Sequence, residues 1–75
     1  MQETVLQIFE EVLDKEQGSI KTEDRFRDYE EWDSLAYLSV IAGIDDEFGL
    51  VIPVDEFRDL QTISDIVKYL ESHKD

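Results

Sequence analysis

The 75-residue chain contains no cysteine, one proline, three glycines and one histidine. Without cysteine there is neither a disulfide framework nor a thiolate metal site. His73 stands at the C-terminal end, where chain ends fray, so no serine has an obvious general base and serine-nucleophile catalysis has no support. No glycine-rich phosphate loop is present. Basic residues are scarce too: seven Lys and Arg against twenty Asp and Glu leave a formal charge of −13. Such a chain lacks the basic patch that nucleic acid and anionic membrane surfaces require, and basic protein partners suit it instead. No apolar run approaches the ~20 residues of a membrane-spanning helix, and no basic-then-apolar leader suggests secretion. A cytoplasmic protein with no membrane span is therefore the expectation. Acid pairs such as Asp45 and Asp46 lack the alternating spacing and central glycine of a calcium loop, so no dedicated metal site is predicted.

What is present is enough apolar residue for a core. Hydrophobic residues make up 41% of the chain, too many for an acidic disordered tail. The length allows one domain, 1–75, expected to be a monomer. Its pattern is helical. Val5, Leu6, Ile8, Phe9, Val12 and Leu13 fall on one face of a helix over Thr4–Glu16, with Glu10, Glu11 and Asp14 opposite and Gly18 as the break. Residues 17–32 show no clean period. Ile20, Phe26 and Tyr29 read as anchors pinning a long loop, which hints at function or an embedded helical turn. A second helix runs from Asp33, a good N-cap, to Phe48, with Gly49 suited to its left-handed close. Val54, Phe57 and Leu60 suggest a short helix after Pro53. Thr62 opens the last helix with Asp65 three residues on, a variant capping box, and its stripe is Ile63, Ile66, Val67 and Leu70. The fold predicted is all-α, a small four-helix bundle of three longer helices and one short one.

Two features go beyond a bland bundle. Residues 28–57 contain no Lys or Arg and hold nine acids, Asp28, Glu30, Glu31, Asp33, Asp45, Asp46, Glu47, Asp55 and Glu56. The plain explanation is a solvated acidic face. The second feature is that the second helix is apolar on two sides. At about 100° per residue, Tyr37, Val40, Ile41, Ile44 and Phe48 share a core stripe, while Leu35, Leu38 and Ala42 line up almost opposite, beside Ser39, Asp45 and Asp46. Either the loop 17–32 folds over Leu35 and Leu38, or these residues are a docking strip for a partner that is apolar in the middle and basic at its rim. Ser34 sits between both features, in the first turn of that helix beside Asp33. A serine there is most often a cap, yet a helix start also suits a phosphate, and this one is a candidate for covalent phosphate attachment. Composition alone equally fits a small acidic adaptor that binds a basic protein and is never modified.

Asp33-Ser34-Leu35 at the start of the second helix resembles the attachment motif of the acyl carrier protein family. The helix spacing, the acidic balance, Phe48-Gly49, Ile52-Pro53 and the Thr62 start of the last helix fit that family as well, over essentially the whole chain. The resemblance implies that Ser34 receives a 4′-phosphopantetheine arm from coenzyme A, installed by a phosphopantetheinyl transferase. The arm's thiol would hold acyl or aminoacyl groups as thioesters for fatty acid, polyketide or peptide biosynthesis, which accounts for a reactive sulfur in a chain without cysteine. It further implies a carrier rather than an enzyme. The second helix would recognise acyl-loading and acyl-processing enzymes with basic docking patches, through Asp33, Leu35, Leu38, Ala42, Asp45 and Asp46. The sequence departs from many relatives in two places. Glu30-Glu31-Trp32 stands where Leu-Gly-x is common, with Trp32 expected to pack on the loop rather than on the arm, and Ser39 replaces a frequent acid. Ser39 argues against a primary fatty acid carrier, and the Glu31-Trp32-Asp33-Ser34-Leu35 run looks closer to free-standing carriers of specialised pathways, such as polyketide or peptide assembly. Gly43, inside the second helix, should cost about 1 kcal/mol relative to alanine and suggests close packing.

Overall fold

A computed structural model describes residues 2–73. Four α-helices succeed one another: α1 Gln2–Val12, α2 Ser34–Phe48, α3 Val54–Phe57 and α4 Ile63–His73, with a single 3-10 turn at Phe26–Asp28 inside the long first loop. There is no strand among the described residues. Three long helices and one short one make the expected bundle.

α1 stops earlier than its apolar period suggested. Asp14 takes a left-handed conformation, φ 55°, and the helix closes around it. Lys15 N–H donates to the Glu10 carbonyl at 2.8 Å and Asp14 N–H to that of Glu11 at 3.3 Å, the paired bonds of a Schellman close. Gly18 then turns the chain back, and its N–H donates to Glu10 Oε2 at 2.7 Å. Glu10, expected on the outer face, is therefore buried: an acid on the helix flank becomes the acceptor that the returning loop requires.

α2 begins and ends as its sequence predicts. The Asp33 side chain accepts from Ala36 N–H at 2.8 Å, and Gly49, φ 67°, donates its N–H to the Asp45 carbonyl at 2.8 Å. Midway, a Cβ on Gly43 would lie 3.0 Å from Ile8 Cγ2. α1 and α2 approach so closely there that an added methyl would require Ile8 to give by a few tenths of an ångström, and a β-branched side chain in a helix has few rotamers to do so.

One core joins all the elements. Val5, Phe9, Phe26, Val40, Ile44, Ile52, Ile63, Ile66 and Leu70 are fully buried in it. Its upper part is aromatic. Trp32 stacks on Phe9 and on Phe57, with ring centroids 5.9 and 6.2 Å away, and meets Phe26 edge-on at 4.9 Å. Aromatic pairs of this kind add about 0.5–1.5 kcal/mol each beyond the area they bury. They tie the long loop to α1 and α3. The loop is anchored where expected: Ile20 and Phe26 are buried, and the half-buried Tyr29 donates its hydroxyl to Asp24 Oδ2 at 2.8 Å. Burial first, and then the Asp24 carboxylate, push the Tyr29 hydroxyl pKa above the usual tyrosine range. The loop's Thr22 and Asp24 carbonyls in turn accept from Ser64 and Ile63 N–H, at 2.8 and 3.3 Å, which fixes the start of α4.

Candidate functional site

Everything needed to present Ser34 is local. Asp33 caps α2, so the serine beside it is released from capping, and Ser34 Oγ makes no hydrogen bond to any described residue. Ser34 is exposed, at the first position of a 15-residue helix. A hydroxyl so placed stands near the positive end of the helix dipole, where an attached phosphate is electrostatically favoured.

Leading away from Ser34, α2 carries the outer strip. Leu35 is 74% exposed and Leu38 60%, and Ser39, Ala42, Asp45 and Asp46 are exposed as well. The long loop does not cover them; it packs on the aromatic end of the core instead. Every site residue expected from the sequence, from Asp33 to Asp46, thus lies on the solvent side of α2 or at its start. Ala36, skipped in the predicted core stripe, is buried and packs inward beside Val40 and Ile44.

Two further large apolar side chains are exposed, Val51 at 63% and Val54 at 57%. Val51 sits in the unbroken run Leu50-Val51-Ile52, and Val54 opens a helix of one turn. Neither segment is long enough for periodicity to separate an inner from an outer face.

A pocket of about 410 Å³ opens beside Ser34. Asp33 and Ser34 line it at the start of α2. Trp32, Tyr37, Val54 and the largely buried Phe57 are its apolar lining residues, and Arg27 and Arg58 are its only basic ones among the described residues. Arg27 is fixed by backbone carbonyls at the end of α3 and in the loop beyond it: Nη2 donates to the Phe57 carbonyl at 2.7 Å and Nε to the Leu60 carbonyl at 3.2 Å. On the long-loop side, Lys15 pairs with Glu31 at 3.1 Å. The Glu31 carboxyl pKa lies below the usual range, chiefly through a backbone N–H and then through Lys15. No group of three or more His, Cys, Asp or Glu able to hold a metal occurs among the described residues.

Comparison with known proteins agrees with this geometry. The family model described as the phosphopantetheine attachment site matches residues 3–70. The acyl carrier proteins of Rickettsia massiliae (strain Mtu5) and Rickettsia prowazekii (strain Madrid E) are each 31% identical over 74 residues, covering 99% of this chain and 86% of theirs. The fold matches the solution structure of a holo acyl carrier protein from Geobacter metallireducens with a TM-score of 0.79, at 20% identity, over 95% of this chain and 82% of that one. The chain belongs to the acyl carrier protein family, the carriers with a phosphopantetheine attachment site. It is accordingly a carrier and not an enzyme, and its prosthetic group is 4′-phosphopantetheine. The exposed, uncapped serine hydroxyl at a helix start fits such a group.

Proposed function

We propose that Ser34 is the attachment residue and that this carrier presents acyl or aminoacyl groups to biosynthetic enzymes through the outer face of α2. The observation that carries the reading is the freedom of the Ser34 hydroxyl: the neighbouring aspartate caps the helix, and the serine oxygen is left exposed with no partner among the described residues. Attachment forms a bond from Ser34 Oγ to the phosphorus of coenzyme A next to the pantetheine. It breaks the pyrophosphate link there and releases the adenosine bisphosphate, while the serine proton passes to a base on the transferase. Ser34 has no base of its own, consistent with a separate phosphopantetheinyl transferase. When bound, the arm supplies a thiol for thioester chemistry that no side chain of this chain can supply.

Recognition falls to Leu35, Leu38 and Ala42, flanked by Asp33, Asp45 and Asp46. Apolar contact at the centre of an interface with charge at its rim suits partners with basic docking patches, the charge chiefly raising the rate of encounter. The partners are the transferase and the acyl-loading and acyl-processing enzymes of fatty acid, polyketide or peptide biosynthesis, met in the cytoplasm. Ser39 on the recognition face and the Glu31-Trp32-Asp33-Ser34-Leu35 run favour a specialised pathway. The test is an intact mass of the apo protein after incubation with coenzyme A and a broad-specificity transferase. A gain of one phosphopantetheine group, abolished in Ser34→Ala, is expected. A gain that survives Ser34→Ala would move the attachment elsewhere, and no gain with any transferase would leave an unmodified acidic adaptor.

A further inference from the structure

Arg27 and Arg58 bound the stretch of sequence that has no other base, and the fold brings both to the pocket lined by Ser34. Arg27 is held in place there. Besides its two bonds to the Phe57 and Leu60 carbonyls, its guanidinium lies 5.1 Å from the Phe26 ring centroid and 5.3 Å from that of Phe57. No described carboxylate forms an ion pair with it. A guanidinium has five N–H donors; these two bonds leave the others without a protein acceptor among the described residues. Arg58 is exposed, with only a long 3.9 Å approach to Asp55. In a chain of charge −13, an immobilised arginine with no acid against it is out of keeping with its surroundings. The pocket volume of about 410 Å³ falls within the ~300–1,000 Å³ typical of ligand sites.

We infer that this pocket receives the near half of the prosthetic arm, with the phosphodiester beside Arg27 and Arg58 and the dimethyl-branched segment against Trp32, Tyr37 and Val54. The inference rests on Ser34 being the attachment residue. Two chemistries of the arm meet two parts of the lining: guanidinium groups suit a phosphate oxygen, and the partly exposed Trp32 and Tyr37 with the exposed Val54 suit branched hydrocarbon. The tether makes a weak site sufficient. A group linked to a residue of the pocket itself has an effective concentration on the order of 1 mM, so an intrinsic affinity near ~1 mM fills it about half the time. Arg27 and Arg58 thereby set the base from which the thiol end swings, rather than leaving the arm to pivot freely at Ser34.

Trp32 is the only tryptophan and lines the pocket, so it reports directly. The apo protein is converted to holo with coenzyme A and a transferase, and intact mass confirms complete loading. Acrylamide quenching of Trp32 and the phosphorus-31 resonance are then measured. The expected result is a quenching constant lower in holo than in apo by up to about half, the fraction of time the tethered arm occupies the pocket. In holo Arg58→Gln the constant should return at least halfway to the apo value and the phosphorus resonance should move. Arg27→Gln should do the same where its circular dichroism shows a native helix content. Arg58, being exposed, keeps the test valid if Arg27→Gln unfolds. Complete loading with identical Trp32 quenching in apo and holo, or with holo quenching unchanged by Arg58→Gln, overturns the inference and leaves the attachment reading intact. Absence of the mass gain overturns the attachment reading itself, and this inference with it.

Discussion

α2 and α4 begin in similar ways and end up with different uses. At the start of α4 the chain seals itself. Asp65 Oδ2 accepts from the N–H groups of Gln61 and Thr62, at 2.9 and 3.1 Å, and Thr62 Oγ1 accepts from Asp65 N–H at 3.1 Å. The carbonyls of Asp24 and Thr22 take Ile63 and Ser64 N–H. Each donor of that first turn has an acceptor in the protein. At the start of α2 only Asp33 serves, through Ala36 N–H and, by its carbonyl, Tyr37 N–H, and the N–H groups of Ser34 and Leu35 meet no described acceptor. The same unpaired donors and the same dipole are tied into the fold at the start of α4 and left open at the start of α2, beside the exposed Ser34 hydroxyl.

Breaking the sealed end should cost the most. Asp65→Ala removes the two hydrogen bonds its carboxylate accepts and Thr62→Ala the one its hydroxyl accepts, and a lost cap is worth about 0.5–2 kcal/mol. Thermal unfolding should fall by about 4–8 °C per kcal/mol in a domain of this size. Because Thr62 and Asp65 bond each other reciprocally, the double variant should lose less than the sum of the singles by about 0.5 kcal/mol or more; strict additivity would mean that the box does not act as a unit. The same end carries an acid dependence. The Asp65 pKa is lowered mainly by the backbone N–H groups of Gln61 and Thr62, and that of Asp24 by the N–H of Lys21 and then the Tyr29 hydroxyl. A carboxyl with a folded pKa below its unfolded value contributes stability that is present above the unfolded pKa, about 3.9 for aspartate, and is lost as pH falls through the lowered folded value. Urea titrations below pH ~4 should therefore show a steeper loss in the parent than in Asp65→Asn, and parallel curves would sink that assignment.

The open end should be less costly to alter. Asp33→Ala should destabilise by about 1 kcal/mol, with the loss confined to the first turn of α2 in amide exchange. Protection lost throughout α2 would show that the cap holds the whole helix. Smallest of all is Ser34→Ala. An exposed residue with no described hydrogen-bond partner should change stability by no more than about 0.5 kcal/mol. A larger fall in midpoint would mean that Ser34 has a structural duty after all, and the contrast between the two helix starts would blur.

The parts of this arrangement that depend on neighbours in sequence were legible before the fold. Asp33 as cap, Gly49 as left-handed close and Thr62 with Asp65 as a reciprocal pair each act over a few residues, and the two apolar faces of α2 derive from its period. What escaped depends on chain segments meeting. Glu10 reads as solvent-facing until Gly18 returns to it. Asp14 closes α1 because an aspartate tolerates the left-handed region, which no periodicity reveals. The meeting of Arg27 and Arg58 joins residues far apart in sequence, and only the packing of α3 against the long loop brings them to one pocket. Gly43 falls between: the sequence marked it as a cost that suggests close packing, and the structure named Ile8 as the neighbour.

That approach has a mechanical consequence. With Ile8 Cγ2 at 3.0 Å from the place a methyl would occupy, α2 rests closely on α1 at Gly43. A load on the exposed side of α2 near Gly43 meets α1 directly behind it. If α2 is the docking face proposed above, the place Ser34 reaches is set by how the α1–α2 pair together is seated.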